Sequence, residues 1–198
     1  TRPQTELETE AGTLYLPEFY DTVNTLDQVI DVDYYLPGCA PPPDLIMNAI
    51  DAILAGDLPE KGAVLAPDKC LCQECDRRDS KPDEIPIGEL TRVTSVTPDN
   101  EKCFLEQGLI CMGPATRAGC GERCINANMP CRGCFGPTDR VIDQGAAFLG
   151  ALASGFDADT REKADEIAAG IEDPIGILYM YGLPASMLKR VKKPEVTS

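Results

Sequence analysis

A chain of 198 residues, 43 % hydrophobic and 26 % charged, can bury one sizeable core or two small ones and has a folded protein's composition. Its formal net charge of −15 gives a surface that repels phosphate backbones, which excludes a nucleic-acid partner. Ten cysteines and no histidine remove catalytic triads built on an imidazole base, and most catalytic zinc chemistry.

In chain order, residues 1–26 are polar and acidic and read as an irregular lead-in. The opening TRPQTELETEAG does not resemble a signal peptide. It starts with Thr1, so processing or a longer parent polypeptide is expected. Val29–Leu36 mixes β-branched and aromatic residues and predicts a strand, with Tyr34 and Tyr35 packing on its two faces. Pro37-Gly38-Cys39 follows as a turn, and Pro41-Pro42-Pro43 as a rigid bend. From Asp44 the residues Leu45, Ile46, Ala49, Ile50, Ile53 and Leu54 recur at helical spacing, with Pro43 at the start and Gly56 at the end. Cys39 would then lie at the carboxyl end of a strand before a helix, where open α/β sheets bind ligands.

After Gly62 the character changes. Residues 63–138 are rich in Gly and Pro, poor in long apolar periods, and hold nine of the cysteines. Bound inorganic groups could hold such a segment where a large apolar core cannot. The stretch FLEQGLICM after Cys103 predicts a short helix. VIDQGAAFLGALASGF from Val141 and ADTREKADEIAAGI (158–171) predict longer ones. The basic tail, Lys189, Arg190, Lys192 and Lys193, reads as a solvated end. No run approaches the roughly 18 apolar residues of a membrane span.

The cysteines fall into an upstream group, Cys70, Cys72 and Cys75, and a dense stretch holding Cys103, Cys111, Cys120, Cys124, Cys131 and Cys134. Cys72–Cys75 and Cys131–Cys134 are C-x-x-C pairs, which favour chelation of one centre. Nothing marks the chain as secreted, so a disulfide framework is the weakest reading. Thiolates without imidazole select iron–sulfur clusters or zinc, and iron–sulfur is favoured. The 55 residues between Cys75 and Cys131 are too many for a zinc ribbon. Runs typical of bacterial or plant-type ferredoxins are absent.

Three segments, YYLPGCAPPPDLI (34–46), KCFLEQGLICMGPATRAGCGERC (102–124) and NMPCRGCFGP (128–137), closely resemble the small subunit of cytosolic nickel–iron hydrogenases. The nearest type is the viologen-reducing, heterodisulfide-reductase-linked enzyme of methanogens, followed by the archaeal sulfhydrogenase. EDPIGILYMYGLPAS (172–186) is similar to the same group. The resemblance implies that Cys39 closes a proximal cluster. It implies that Cys72, Cys75, Cys103 and Cys111 hold a distal cluster, and Cys120, Cys124, Cys131 and Cys134 a medial one. Periplasmic relatives carry His where Cys72 stands, and often Pro with a three-iron cluster where Cys124 stands. Four thiolates at the medial set therefore imply a 4Fe–4S cluster.

The resemblance also implies a preceding flavodoxin-like domain that supplies three further thiolates to the proximal cluster. The expected class is thus α/β: residues 1–57 are the last βα unit of that domain. Residues 58–198 form a loop-rich domain binding two 4Fe–4S clusters, with C-terminal helices. The implied role is cytoplasmic, non-catalytic electron transfer. The implied partners are a large subunit carrying the nickel–iron site and a downstream acceptor, either a heterodisulfide reductase-linked iron–sulfur/flavin protein or ferredoxin. A zinc-stapled interaction module and a standalone two-cluster ferredoxin-like carrier remain the alternatives. The small subunit of a quinone-reducing complex shares the LPGC-PP motif but carries one cluster. Cys70 is left as a structural or free thiol, and Cys39 could be a packed turn cysteine. Arg117 and Arg132 flank ligands and either tune them or are solvated. Gly113-Pro114 and Gly133 are turn formers that let backbone amides approach sulfides.

Overall fold

The computed structural model describes residues 4–17 and 22–190. Strands β1 (Glu6–Thr9) and β2 (Gly12–Tyr15) pair antiparallel, Leu7 opposite Leu14 and Glu8 opposite Thr13. Within the lead-in expected to be irregular, residues 6–15 therefore form a hairpin, while 1–3 and 18–21 lie outside the described residues. Its turn is allowed by Gly12, whose φ of +117° suits a residue without Cβ. The Thr13 hydroxyl donates to Glu8 Oε1 at 2.7 Å across the pair. Leu7, Leu14 and Tyr15 remain more than half exposed, so the hairpin adds no core.

The strand expected at Val29–Leu36 does not form. Leu26–Gln28 make one 3-10 turn, and in the following stretch only Tyr35 bridges, parallel to Val64. Tyr35 N–H donates to Ala63 O at 3.0 Å, and Leu65 N–H to Tyr35 O at 2.8 Å. Strand propensity is not enough where no neighbouring strand takes up the remaining N–H and C=O groups. Instead of packing on two faces, the tyrosines tie loops together. Tyr34 Oη donates to Pro59 O at 3.1 Å and Tyr35 Oη to Asp27 Oδ2 at 3.0 Å.

Helix α1 (Pro43–Ala55) has the expected ends: proline in its first turn and Gly56 at φ +69° closing it. It buries none of its residues. Ile46, Met47, Ile50, Ile53 and Leu54 are exposed along it. Helices α2 (Arg123–Asn126), α3 (Gln144–Ala153), α4 (Arg161–Ala169) and α5 (Pro174–Leu178) follow. FLEQGLICM gives only the 3-10 turn Leu105–Gln107, closed by Gly108 at φ +71°. The backbone is drawn away there to pair with Thr91, whose N–H donates to Gly108 O at 2.9 Å.

The fold is thus mixed, loop-rich, and short of sheet. Its core is shared rather than thin. The cysteine-rich segment contributes Leu71, Phe104, Leu109, Met112 and, on α2, Ile125, and the later helices contribute Phe148, Leu152, Ile167 and Leu178. Gly145 brings α5 onto α3, since a methyl there would lie 2.5 Å from Tyr179 Cζ. Among the described residues no helix is long and apolar enough to cross a membrane. Lys192 and Lys193 of the basic tail lie outside the described residues.

Asp143 pins the helical roof. It is 6 % exposed, and its Oδ1 accepts from Ala146 N at 2.9 Å to cap α3. Its Oδ2 accepts from Met187 N at 2.9 Å, holding the chain after α5. Burial pushes its carboxyl up, but those amides and the Tyr179 hydroxyl outweigh this and hold it below the usual value. A depressed carboxylate stabilises fully above the unfolded value, about 3.9, and loses that contribution as pH falls through the lower folded value. Asp143→Ala is therefore expected to cost about 1–2 kcal/mol at pH 7. Thermal melts of both proteins from pH 7 to pH 3 should converge on acidification.

Candidate metal centres formed by two thiol groups

Cys72, Cys75, Cys103 and Cys111 line one cavity, together with Leu71, Phe104, Gly113 and Ile125. Short turns place them. Cys72 sits in the 3-10 turn Leu71–Gln73, which Leu71 N–H anchors to Thr116 O at 2.7 Å. Cys75 precedes the turn Asp76–Ser80, and Ser80 Oγ accepts from Cys103 N at 2.8 Å. That bond carries the 75–80 loop to Cys103. Gln107 Nε2 donates to Lys102 O at 3.0 Å and fixes the approach. Cys111 is buried, and its Sγ accepts from Cys131 N at 3.3 Å.

Gly113 is required here for space. A methyl at its position would lie 3.0 Å from Cys72 Sγ and 3.7 Å from Cys111 Sγ. Its sequence neighbourhood marks it as a turn former; its closeness to two thiols is visible only in three dimensions.

Cys120, Cys131 and Cys134 lie within electrostatic reach of one another, and Cys124 and Cys39 within reach of Cys134. Cys124 is carried by α2 and exposed, whereas Cys131 is buried. The Cys39 amide faces the Cys134 sulfur, so Cys39 stands beside this second group with no other cysteine of its own. Cys70 does not line the first cavity, but it lines a larger neighbouring pocket with Cys72 and Cys103. It lies near Cys72 at the head of the turn that follows, where its N–H donates to Gln73 Oε1 at 3.0 Å and its carbonyl accepts from Gln73 N at 3.0 Å.

The two groups touch. Besides the Cys131 N–H to Cys111 Sγ bond, Met112 N–H donates to Cys131 O at 3.0 Å. Carboxylates tie the same loops: Glu74 Oε2 accepts from Gly119 N at 3.1 Å and Glu122 Oε2 from Asp76 N at 2.9 Å.

Two arginines depart from what their sequence neighbourhoods signal. Arg117 is not solvated: it is 2 % exposed, paired with Asp139 and, at 3.4 Å, with Asp68. Its Nε donates to Pro137 O at 3.1 Å and Nη1 to Pro67 O at 3.2 Å. Loop carbonyls without strand partners need donors, and one guanidinium supplies several. Arg132 is partly exposed. Arg77 is buried in the wall of the first cavity, and nothing in the residues around it signals this.

Burial pushes the Cys72 thiol up to about 12 and the Cys131 thiol up to about 11, and raises Cys111 as well; neighbouring thiols add to each. Alone, such thiols stay protonated at neutral pH, and metal binding displaces their protons. Among the described residues no three His, Cys, Asp or Glu side chains converge closely enough for a single metal ion. Tetrahedral zinc needs every sulfur about 2.3 Å from one point. Four thiols are the soft donor set that both zinc and iron–sulfur clusters take. The donor set, and the space beside Cys72 and Cys111 kept by Gly113, fit an iron–sulfur cluster.

No family model matches the chain. A subunit of the F420-non-reducing hydrogenase of Methanothermobacter thermautotrophicus is 38 % identical over 176 residues, 87 % of this chain and 55 % of the relative. The corresponding protein of Archaeoglobus profundus, named as the iron–sulfur subunit of its F420-non-reducing hydrogenase, is 37 % identical over 180 residues, 89 % of this chain and 55 % of the relative. That of Methanothermus fervidus is 38 % identical over 119 residues, 59 % of this chain and 93 % of the relative. The chain spans about half the length of the first two.

Proposed function

The chain belongs to the family of F420-non-reducing hydrogenase iron–sulfur subunits, and from that premise we propose that it is a non-catalytic electron-transfer subunit of a nickel–iron hydrogenase. Cys72, Cys75, Cys103 and Cys111 would hold one 4Fe–4S cluster, and Cys120, Cys124, Cys131 and Cys134 a second. Bound clusters supply one-electron storage at low potential. The protein's part is to fix where they sit, how far apart, and in what charge environment. The observation that carries the reading is four thiols around one cavity, joined to the second group through the Cys111–Cys131 hydrogen bond.

Residues 58–198 are read as the two-cluster domain, and 1–57 as part of a flavodoxin-like domain. Cys39 closes a proximal cluster there, with three thiolates from that domain. The uncovered apolar residues of α1 support a covering domain, as does the greater length of the relatives. A large subunit with the nickel–iron site would deliver electrons. A heterodisulfide reductase-linked iron–sulfur/flavin protein or ferredoxin would receive them, in the cytoplasm.

Protein purified without oxygen is expected to contain about eight irons per chain from these two sets, with matching acid-labile sulfide. Stoichiometric zinc without sulfide, measured by elemental analysis, would overturn the reading in favour of a zinc-stapled module.

A further inference from the structure

Arg77 is 5 % exposed, and among the described residues no carboxylate lies within ion-pair distance of its guanidinium. Its hydrogen-bond partners are neutral. Nη1 donates to Asp99 O at 2.8 Å and Lys102 O at 3.0 Å, and Nη2 to Asn128 Oδ1 at 2.8 Å. Its Cζ lies 4.1 Å from the centroid of the buried Phe104 ring. The Asp99 carboxylate is within its electrostatic reach but accepts from the Glu101 and Lys102 amides at 2.9 and 3.2 Å. The Arg77 amide, in turn, faces the Cys75 sulfur.

A buried cation held only by neutral acceptors is costly unless a negative charge sits nearby. Arg77 lines an open pocket with Asp76 and Glu101, and it also lines the cavity of the four thiols, which gathers negative charge only once those thiols hold a metal cluster. Four thiolates around an iron–sulfur core leave a net negative unit, and reduction adds one more negative charge.

We propose that Arg77 is a counter-charge of the first thiol site, a positioning residue that raises that site's reduction potential. It does so by favouring the more anionic, reduced form. This rests on the electron-transfer reading given above.

The test is a potentiometric EPR titration of the anaerobically purified hydrogenase complex, with iron and sulfide measured in parallel. The first-site signal is identified by its loss in Gly113→Val. Arg77→Met is expected to move the first-site reduction equilibrium at least tenfold toward the oxidised form, 59 mV for one electron, and to leave the second site in place. Arg77→Lys keeps the charge and should keep the midpoint, although it loses the fork. Asn128→Asp sets a carboxylate against an intact guanidinium and should lower the same midpoint, which guards against a misfolded Arg77→Met. Midpoints unmoved in Arg77→Met and Asn128→Asp, with iron retained, would mark Arg77 as a structural staple and overturn the inference alone. Unaltered protein without cluster iron would overturn the functional reading first, and the inference with it.

Discussion

Gly113→Val protein is expected to retain about four irons per chain where the unaltered chain holds about eight. Even a single methyl at position 113 would lie 3.0 Å from Cys72 Sγ and 3.7 Å from Cys111 Sγ. The contact to Cys72 is tight enough that its sulfur must give by a few tenths of an ångström, whereas that to Cys111 is ordinary van der Waals contact, so the larger loss needs the added branches of valine. Both thiols are fixed: Cys72 by a turn bonded to Thr116, Cys111 by the Cys131 amide. A thiol forced off its wall no longer meets its iron. The two branches of valine fill the space that the ligands share. Gly113 does not adopt a positive φ, so backbone strain is not the cause of the loss. Iron and sulfide analysis, with EPR of the reduced protein, measures the effect. Alanine should give an intermediate loss, and full retention of iron in the valine protein would sink this account of the cavity.

Cys124→Pro is the second large effect, and it falls on the other group. Cys124 is the exposed member, carried on the four residues of α2. Removing it leaves Cys120, Cys131 and Cys134, and three thiolates support three irons. The reduced protein should lose the four-iron signal of that site and gain a three-iron signal when oxidised. Total iron falls by about one per chain. Cys124 is exposed and outside the shared core, so thermal stability should change far less than the spectrum does. An unchanged EPR spectrum would remove Cys124 from the ligand set.

Local rules decide what depends on neighbours in sequence. The ends of α1 follow from Pro43 and Gly56, and α3 and α4 from apolar spacing and caps. The strand expected at 29–36 does not form because pairing is not local, and its residues find only Val64. The hairpin at 6–15 hides in an acidic stretch, although Gly12 and the Leu7–Leu14 alternation signal it. Spacing alone leaves nine thiols after Gly62 divisible in several ways; the grouping into two sets of four comes through resemblance. Arg77 and Arg117 look like surface residues in sequence because arginine is usually solvated. What buries them is a set of loop carbonyls supplied by residues as distant as Asp99 and Pro137. Gly113 is legible as a turn, but not as a gap between two sulfurs.

The contact between Cys111 and Cys131 has a consequence for speed. Both residues are buried, and a sulfur of one group meets a peptide of the other without intervening side chains. If both groups hold clusters as proposed, the gap an electron crosses between them is set by this buried joint.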